Sequence, residues 1–163
     1  MARKRMTACG VLALALAATT LGSMSASALD RAALSSHGSW TSFGNSNLMM
    51  IADHFGDGSR IAMVGQMGHY ALTLTDPAWQ TTEGQTYTVK VAIDDALFGT
   101  EAIAIDANTL LITGASDDFV AKLVHGKIGS FVVGSWRRDL TLAGAAQAFG
   151  DAATGPSSGS RFQ

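Results

Sequence analysis

Four methionines and two histidines crowd one stretch of the sequence: Met49, Met50, Met63 and Met67, with His54 and His69. Thioether sulfur and imidazole are the donors that suit Cu(I), and Met63-x-x-x-Met67-x-His69 gives that chemistry a nucleus. His54 completes a candidate metal set of Met63, Met67, His69 and His54. The same residues have a plainer use. Met63 falls in an apolar run, where a flexible thioether fills a strand core. The spacing matches no established ligand template. The expectation is a protein without an obligatory cofactor, with copper held by these four residues as the alternative. Asp53-His54 with Asp57 suggests a hydrolytic dyad or a Ca²⁺ loop. The run DHFGDG lacks the alternating oxygen ligands of a calcium loop. Gly56-Asp57-Gly58 instead supplies φ > 0 positions for a hairpin turn.

The stretch TLLITGASDDF, Thr109 to Phe119, differs by one letter from the Asp-Thr-Gly turn of an aspartic protease. That chemistry needs two carboxylates sharing a proton and a water. Position 112 is isoleucine, and no other Asp-Thr/Ser-Gly occurs. A strand–turn–helix junction accounts for every letter. Leu110 to Ile112 ends a strand and Gly114 permits a sharp turn. Ser116 caps a helix, Asp117 and Asp118 lie where the helix dipole favours negative charge, and Gly126 stops it.

Gly155-Pro156-Ser157-Ser158-Gly159 fits the letters of a GxSxG nucleophile elbow, but an elbow needs a strand before it and a helix after it. This one sits in a polar tail. Asp94-Asp95 reads as a strand end. Trp40, Trp79 and Trp136 read as core or edge packing rather than a carbohydrate platform. These readings leave the chain with no catalytic residue and favour a protein that is not an enzyme.

The elements that position these residues are mostly strands. Tyr70, Leu72 and Leu74 alternate with Ala71, Thr73 and Thr75; Tyr87, Val89, Val91 and Ile93 alternate with Thr88, Lys90 and Ala92. Ile103 and Ile105, Leu110 and Ile112, Phe131 and Val133, and Leu140 and Leu142 continue the pattern. Leu48–Phe55 and Arg60–Val64 flank the glycine turn. Helices are predicted over Asp117–His125 and Gly144–Ala153. Short strands divided by turns predict a mainly β fold, an antiparallel sandwich or barrel with one or two short helices.

The chain ends carry a different message. Arg3, Lys4 and Arg5 precede the apolar run Val11–Gly22, and Ala26-Ser27-Ala28 is a small-x-small cleavage site. The expectation is a signal peptide over 1–28, a flexible lead-in over 29–38, one β-rich domain over 39–153 and a disordered tail over 154–163. Cys9, the one cysteine, would leave with the leader, so the mature chain would carry neither disulfide nor thiolate. Loss of the leader also leaves 8 basic residues against 13 acidic ones, a net charge of −5. Such a balance argues against nucleic acid and anionic membranes as partners. The leader's apolar run is too short for a lasting membrane anchor.

In the C-terminal half, Asp117-Asp118-Phe119-Val120-Ala121-Lys122-Leu123 is followed by Gly126-Lys127, then by Leu140-Thr141-Leu142-Ala143-Gly144-Ala145-Ala146-Gln147-Ala148-Phe149. With Trp40 and the spacing Leu142-x-Gly144-x-x-x-Ala148, this order resembles small exported proteins of the invasion-associated locus B type and their α-proteobacterial relatives. The resemblance implies a β-rich periplasmic or surface domain and carries no catalytic residues. The chain departs from those proteins in lacking their cysteines. The functional expectation is an exported, non-enzymatic binding module of the bacterial cell envelope, periplasmic or secreted, with another envelope protein as partner. An inhibitor or accessory of an envelope enzyme is the first alternative, and a copper-binding protein the second.

Overall fold

The computed structural model describes residues 33–45, 48–66 and 68–154. The signal-peptide expectation, Met67 and the GxSxG letters lie outside them. Contacts divide the chain into Met1–Arg31 and Ala32–Gln163, and the described residues belong to the second unit. The described residues form ten strands: β1 Ser35–His37, β2 Trp40–Asn45, β3 Leu48–His54, β4 Arg60–Gln66, β5 His69–Thr75, β6 Thr86–Ile93, β7 Ala96–Ala104, β8 Thr109–Thr113, β9 Ile128–Val133 and β10 Trp136–Thr141. Helix α1 spans Asp117–His125 and α2 spans Ala145–Thr154. The fold is mainly β, as the periodicity predicts. All ten strands join one antiparallel sheet in the order β1-β2-β3-β4-β5-β8-β7-β6-β9-β10.

Register explains which face is buried. Trp40, Asp53, Ile61, Leu74, Leu110 and Ala104 form one row of cross-strand neighbours. Ser42, Ile51, Met63, Leu72 and Ile112 form the next row on the same face. Both helices cover this face. Phe119 of α1 packs edge-on against Phe98 of β7, with centroids 5.1 Å apart at 89°. Helix α2 lays Ala145, Ala148 and Ala152 against β1, β2 and β3. A Cβ on Gly44 would lie 3.1 Å from the Ala152 carbonyl oxygen, so the helix comes close only because β2 has a glycine there. The two ends of the sheet approach one another: the Trp40 indole N–H of β2 donates to the Thr141 carbonyl of edge strand β10 over 3.0 Å.

Several local expectations change. The lead-in 29–38 contains strand β1, and β2 follows directly; their serines hid both strands from a search for apolar alternation. Ser42 is buried, but its hydroxyl lies 2.7 Å from that of Ser35. In the DHFGDG turn only Gly58 has positive φ, so Gly56 is not needed there for its conformation. Gly126 ends α1 in an extended conformation, φ −69°, rather than a left-handed one. Its role is room: a Cβ there would meet Ile93 and the Lys122 carbonyl at 2.7 Å. Ile105 and Leu142 lie just beyond the strands assigned to them.

Candidate binding groove and the polar clusters around it

Helix α1 forms where the sequence predicts because its start is satisfied locally. The Ser116 hydroxyl accepts the Phe119 N–H at 3.2 Å, and Asp117 and Asp118 occupy the first turn. Phe119, Val120, Leu123 and Val124 form its buried stripe. Gly114, at φ +68°, turns the chain from β8 into the cap. Ile112, the position where a protease would hold its aspartate, is buried among the apolar side chains of the sheet at 3% exposure.

Beside this stripe lies an open groove of about 230 Å³, lined by Tyr70, Asp117, Val120, Ala121, Val124, His125 and Phe149. Tyr70 comes from β5 and Phe149 from α2; their ring centroids are 6.2 Å apart at 37°. Val120 and Val124 are one helical turn apart, so they point the same way. Asp117 and His125 mark the two ends of the groove on α1. Among the described residues neither makes an ion pair.

A second cluster is built of polar groups paired with one another, although the buried Nε of Arg138 has no hydrogen-bond partner. Asp76, only 7% exposed, accepts the Trp136 indole N–H at 2.6 Å and the Ala78 N–H at 2.8 Å. Arg138 lies 3.8 Å from the same carboxylate and pairs with Asp57. Its guanidinium stacks 4.8 Å from the Phe55 ring centroid and 5.8 Å from that of Trp136. Trp79 meets Trp136 edge-on at 4.9 Å. Asn108 donates to the Trp79 carbonyl at 2.8 Å and holds the loop in place. Asp57 also accepts the Ser59 hydroxyl at 2.6 Å; hydrogen bonds from Ser59 and then from Arg138 hold its carboxyl down to about 2. This cluster ties the β3–β4 turn, the loop after β5 and edge strand β10 together.

A third cluster has the residue types of a hydrolase but the wrong order. Asp151 Oδ2 lies 2.8 Å from His37 Nε2 and also accepts the Ser35 hydroxyl. A nucleophile needs the imidazole between serine and carboxylate, so that the ring takes the hydroxyl proton. Here the carboxylate stands in the middle. The Ser35 hydrogen bond and then that of His37 lower the Asp151 pKa, and the set fastens β1 to α2.

Asp53 differs from both. It is 2% exposed on the helix-covered face beside Trp40, and its Oδ1 has no partner. Burial raises its pKa, against the opposing hydrogen bond from Ser39 and the charge of His54. His54 is exposed at the strand end, its pKa lowered by burial of its ring and by Arg60. It does not form an acid–base dyad with Asp53, because successive residues of a strand point to opposite faces.

The three candidate metal residues that are described, His54, Met63 and His69, do not converge. His54 pairs with Arg60 and His69 with Gln66, at opposite ends of β4. Six residues of strand separate those ends, roughly 20 Å. Met63 is buried midway, on the other face from both histidines. Among the described residues no three His, Cys, Asp or Glu side chains are placed to hold a metal ion. Neither polar cluster is legible in the sequence, since each joins residues far apart in it.

No family model matches the chain, and no curated protein matches it. Among solved structures, the chain is similar to invasion associated protein B from Bartonella henselae. The two are 16% identical, with 71% of this chain and 92% of that one covered and a TM-score of 0.48.

Proposed function

We propose that this chain is an exported, non-enzymatic binding module of the bacterial cell envelope. It contacts another envelope protein through the face made by α1, α2 and Tyr70. One observation carries the reading. The groove there is mostly apolar, and among the described residues Asp117 and His125 at its ends make no ion pair, whereas His37, Ser35, Asp151 and Asp76 each have hydrogen-bond partners. An apolar concavity with a few unengaged polar groups is the usual form of a binding site. Export rests on the basic start, the apolar run Val11–Gly22 and the small residues ending at Ala28.

Two measurements test it. Mass spectrometry of the protein recovered from a periplasmic fraction should find a chain beginning at Leu29. A photo-crosslinking residue at Ala121, in the groove, should give a discrete adduct in cells; the same residue at Lys90, on the far face of β6, should not. An uncleaved cytoplasmic chain, or equal adducts from both positions, would sink the reading.

A further inference from the structure

We propose that the groove receives a lysine or arginine side chain of the partner. This inference rests on the reading of that face as the binding face and names what it recognises. Size comes first. At about 230 Å³ the groove is smaller than the ~300–1,000 Å³ of sites that take drug-sized molecules, so it suits one side chain rather than a large ligand.

The lining then selects the kind of side chain. Val120, Val124 and Ala121 offer an aliphatic surface along α1 for a methylene stem. Tyr70 and Phe149 place two tilted π-systems beside it, and ring faces attract an ammonium or guanidinium group. Asp117 is the one carboxylate of the lining. No Lys or Arg among the described residues neutralises it, so none of them supplies the cation that would complete it. His125 lies eight residues further along α1, roughly 12 Å away, too far to serve as that partner. A carboxylate-bearing side chain would meet Asp117 with like charge. An uncharged aliphatic one would fill the stem but leave the carboxylate and the rings without a cation.

Peptide titration followed by amide NMR shifts of the exported protein tests this. The probes are the acetylated tripeptide amides Ala-Lys-Ala and Ala-Arg-Ala, with norleucine and glutamate versions as controls. The basic peptides should shift Tyr70, Phe149 and the amides of Asp117–His125. They should bind about tenfold more tightly than the norleucine peptide, and the glutamate peptide should not bind. Asp117→Asn should cut the lysine peptide's affinity by about the same factor while leaving the norleucine peptide unchanged. Phe149→Leu, which keeps the groove apolar but removes a ring, should weaken the basic peptides selectively. Equal affinity for lysine and norleucine peptides, an unaffected Asp117→Asn variant, or no groove shifts at the solubility limit would each overturn the proposal. If adducts form at Ala121 but basic peptides fail, the binding-module reading survives and this inference falls. If the peptides bind but no adduct forms at Ala121, the groove has the chemistry argued for it but no partner uses it, and both readings fall.

Discussion

The groove beside α1 and the cluster around Arg138 both combine aromatic rings with charge, yet they differ in how that charge is used. Around Arg138, Asp57 and Asp76 face a guanidinium, and Asp76 also takes two N–H donors. The rings of Phe55, Trp79 and Trp136 close over the pairs. In the groove, Tyr70 and Phe149 are partly exposed and Asp117 has no ion pair among the described residues. On the proposed reading of the groove, chemical richness is a poor guide to function in this molecule. The cluster with more polar groups is a brace between an edge strand and a turn, and the sparser one has capacity to spare. The difference can be broken by mutation, because a brace answers in stability and a binding face in affinity.

The largest effect is expected at Asp76. Asp76→Ala leaves the Trp136 indole N–H and the Ala78 N–H without their acceptor in a buried setting and removes a negative charge facing Arg138. The expected loss is about 3 kcal/mol, read from urea denaturation at neutral pH, with groove binding unchanged in the folded fraction. A loss below about 0.5 kcal/mol would mean that the cluster is not a brace.

Asp53 sharpens the comparison from the other side, as a buried acid lacking a full set of donors. Its folded-state pKa is raised. Below the ordinary carboxylate range, near 3.8, the group is protonated in both folded and unfolded chains and burial costs it little. As pH rises through that range the unfolded chain ionises first, so stability falls until the folded pKa is passed. Asp53→Asn cannot ionise. It should gain about 1–2 kcal/mol over the parent at pH 7 and lose that advantage at pH 3. Melting curves at the two pH values check this; an advantage that grows on acidification would reverse the sign of the argument.

Next in size is Ser116→Ala, which removes the acceptor for the Phe119 N–H. It should cost about 1 kcal/mol, since the cap starts the helix that floors the groove. That cap was legible in the sequence because it is local: Gly114, Ser116, two acids and an apolar stripe lie within a dozen letters. The clean alternation of Tyr87 to Ile93 likewise translated into β6, with Val89, Val91 and Ile93 buried and Thr88 and Lys90 exposed. What could not be read depends on sheet order. Arg138 reaches Asp57 only because β10 comes against the β3–β4 turn from a distant place in the sheet. Tyr70 and Phe149 meet only because α2 folds back over β1, β2 and β3 and brings Phe149 to the start of β5. The Met/His cluster misled for the same reason. Closeness in sequence put His54, Met63 and His69 together, but strand register sends them to different ends and faces.

The smallest stability effect is expected at Asp117, and it is the one that separates the two regions most cleanly. Its carboxylate is exposed and without an ion pair among the described residues. Asp117→Asn gives up only the favourable interaction of a charge with the first turn of α1, at most about 0.5 kcal/mol at moderate salt. Denaturation curves of variant and parent should nearly coincide, while the lysine-peptide affinity drops. If stability falls as far as it does for Asp76→Ala, Asp117 is part of a brace too. The groove would then be a structural seam, and the contrast between an occupied cluster and an open one would no longer hold.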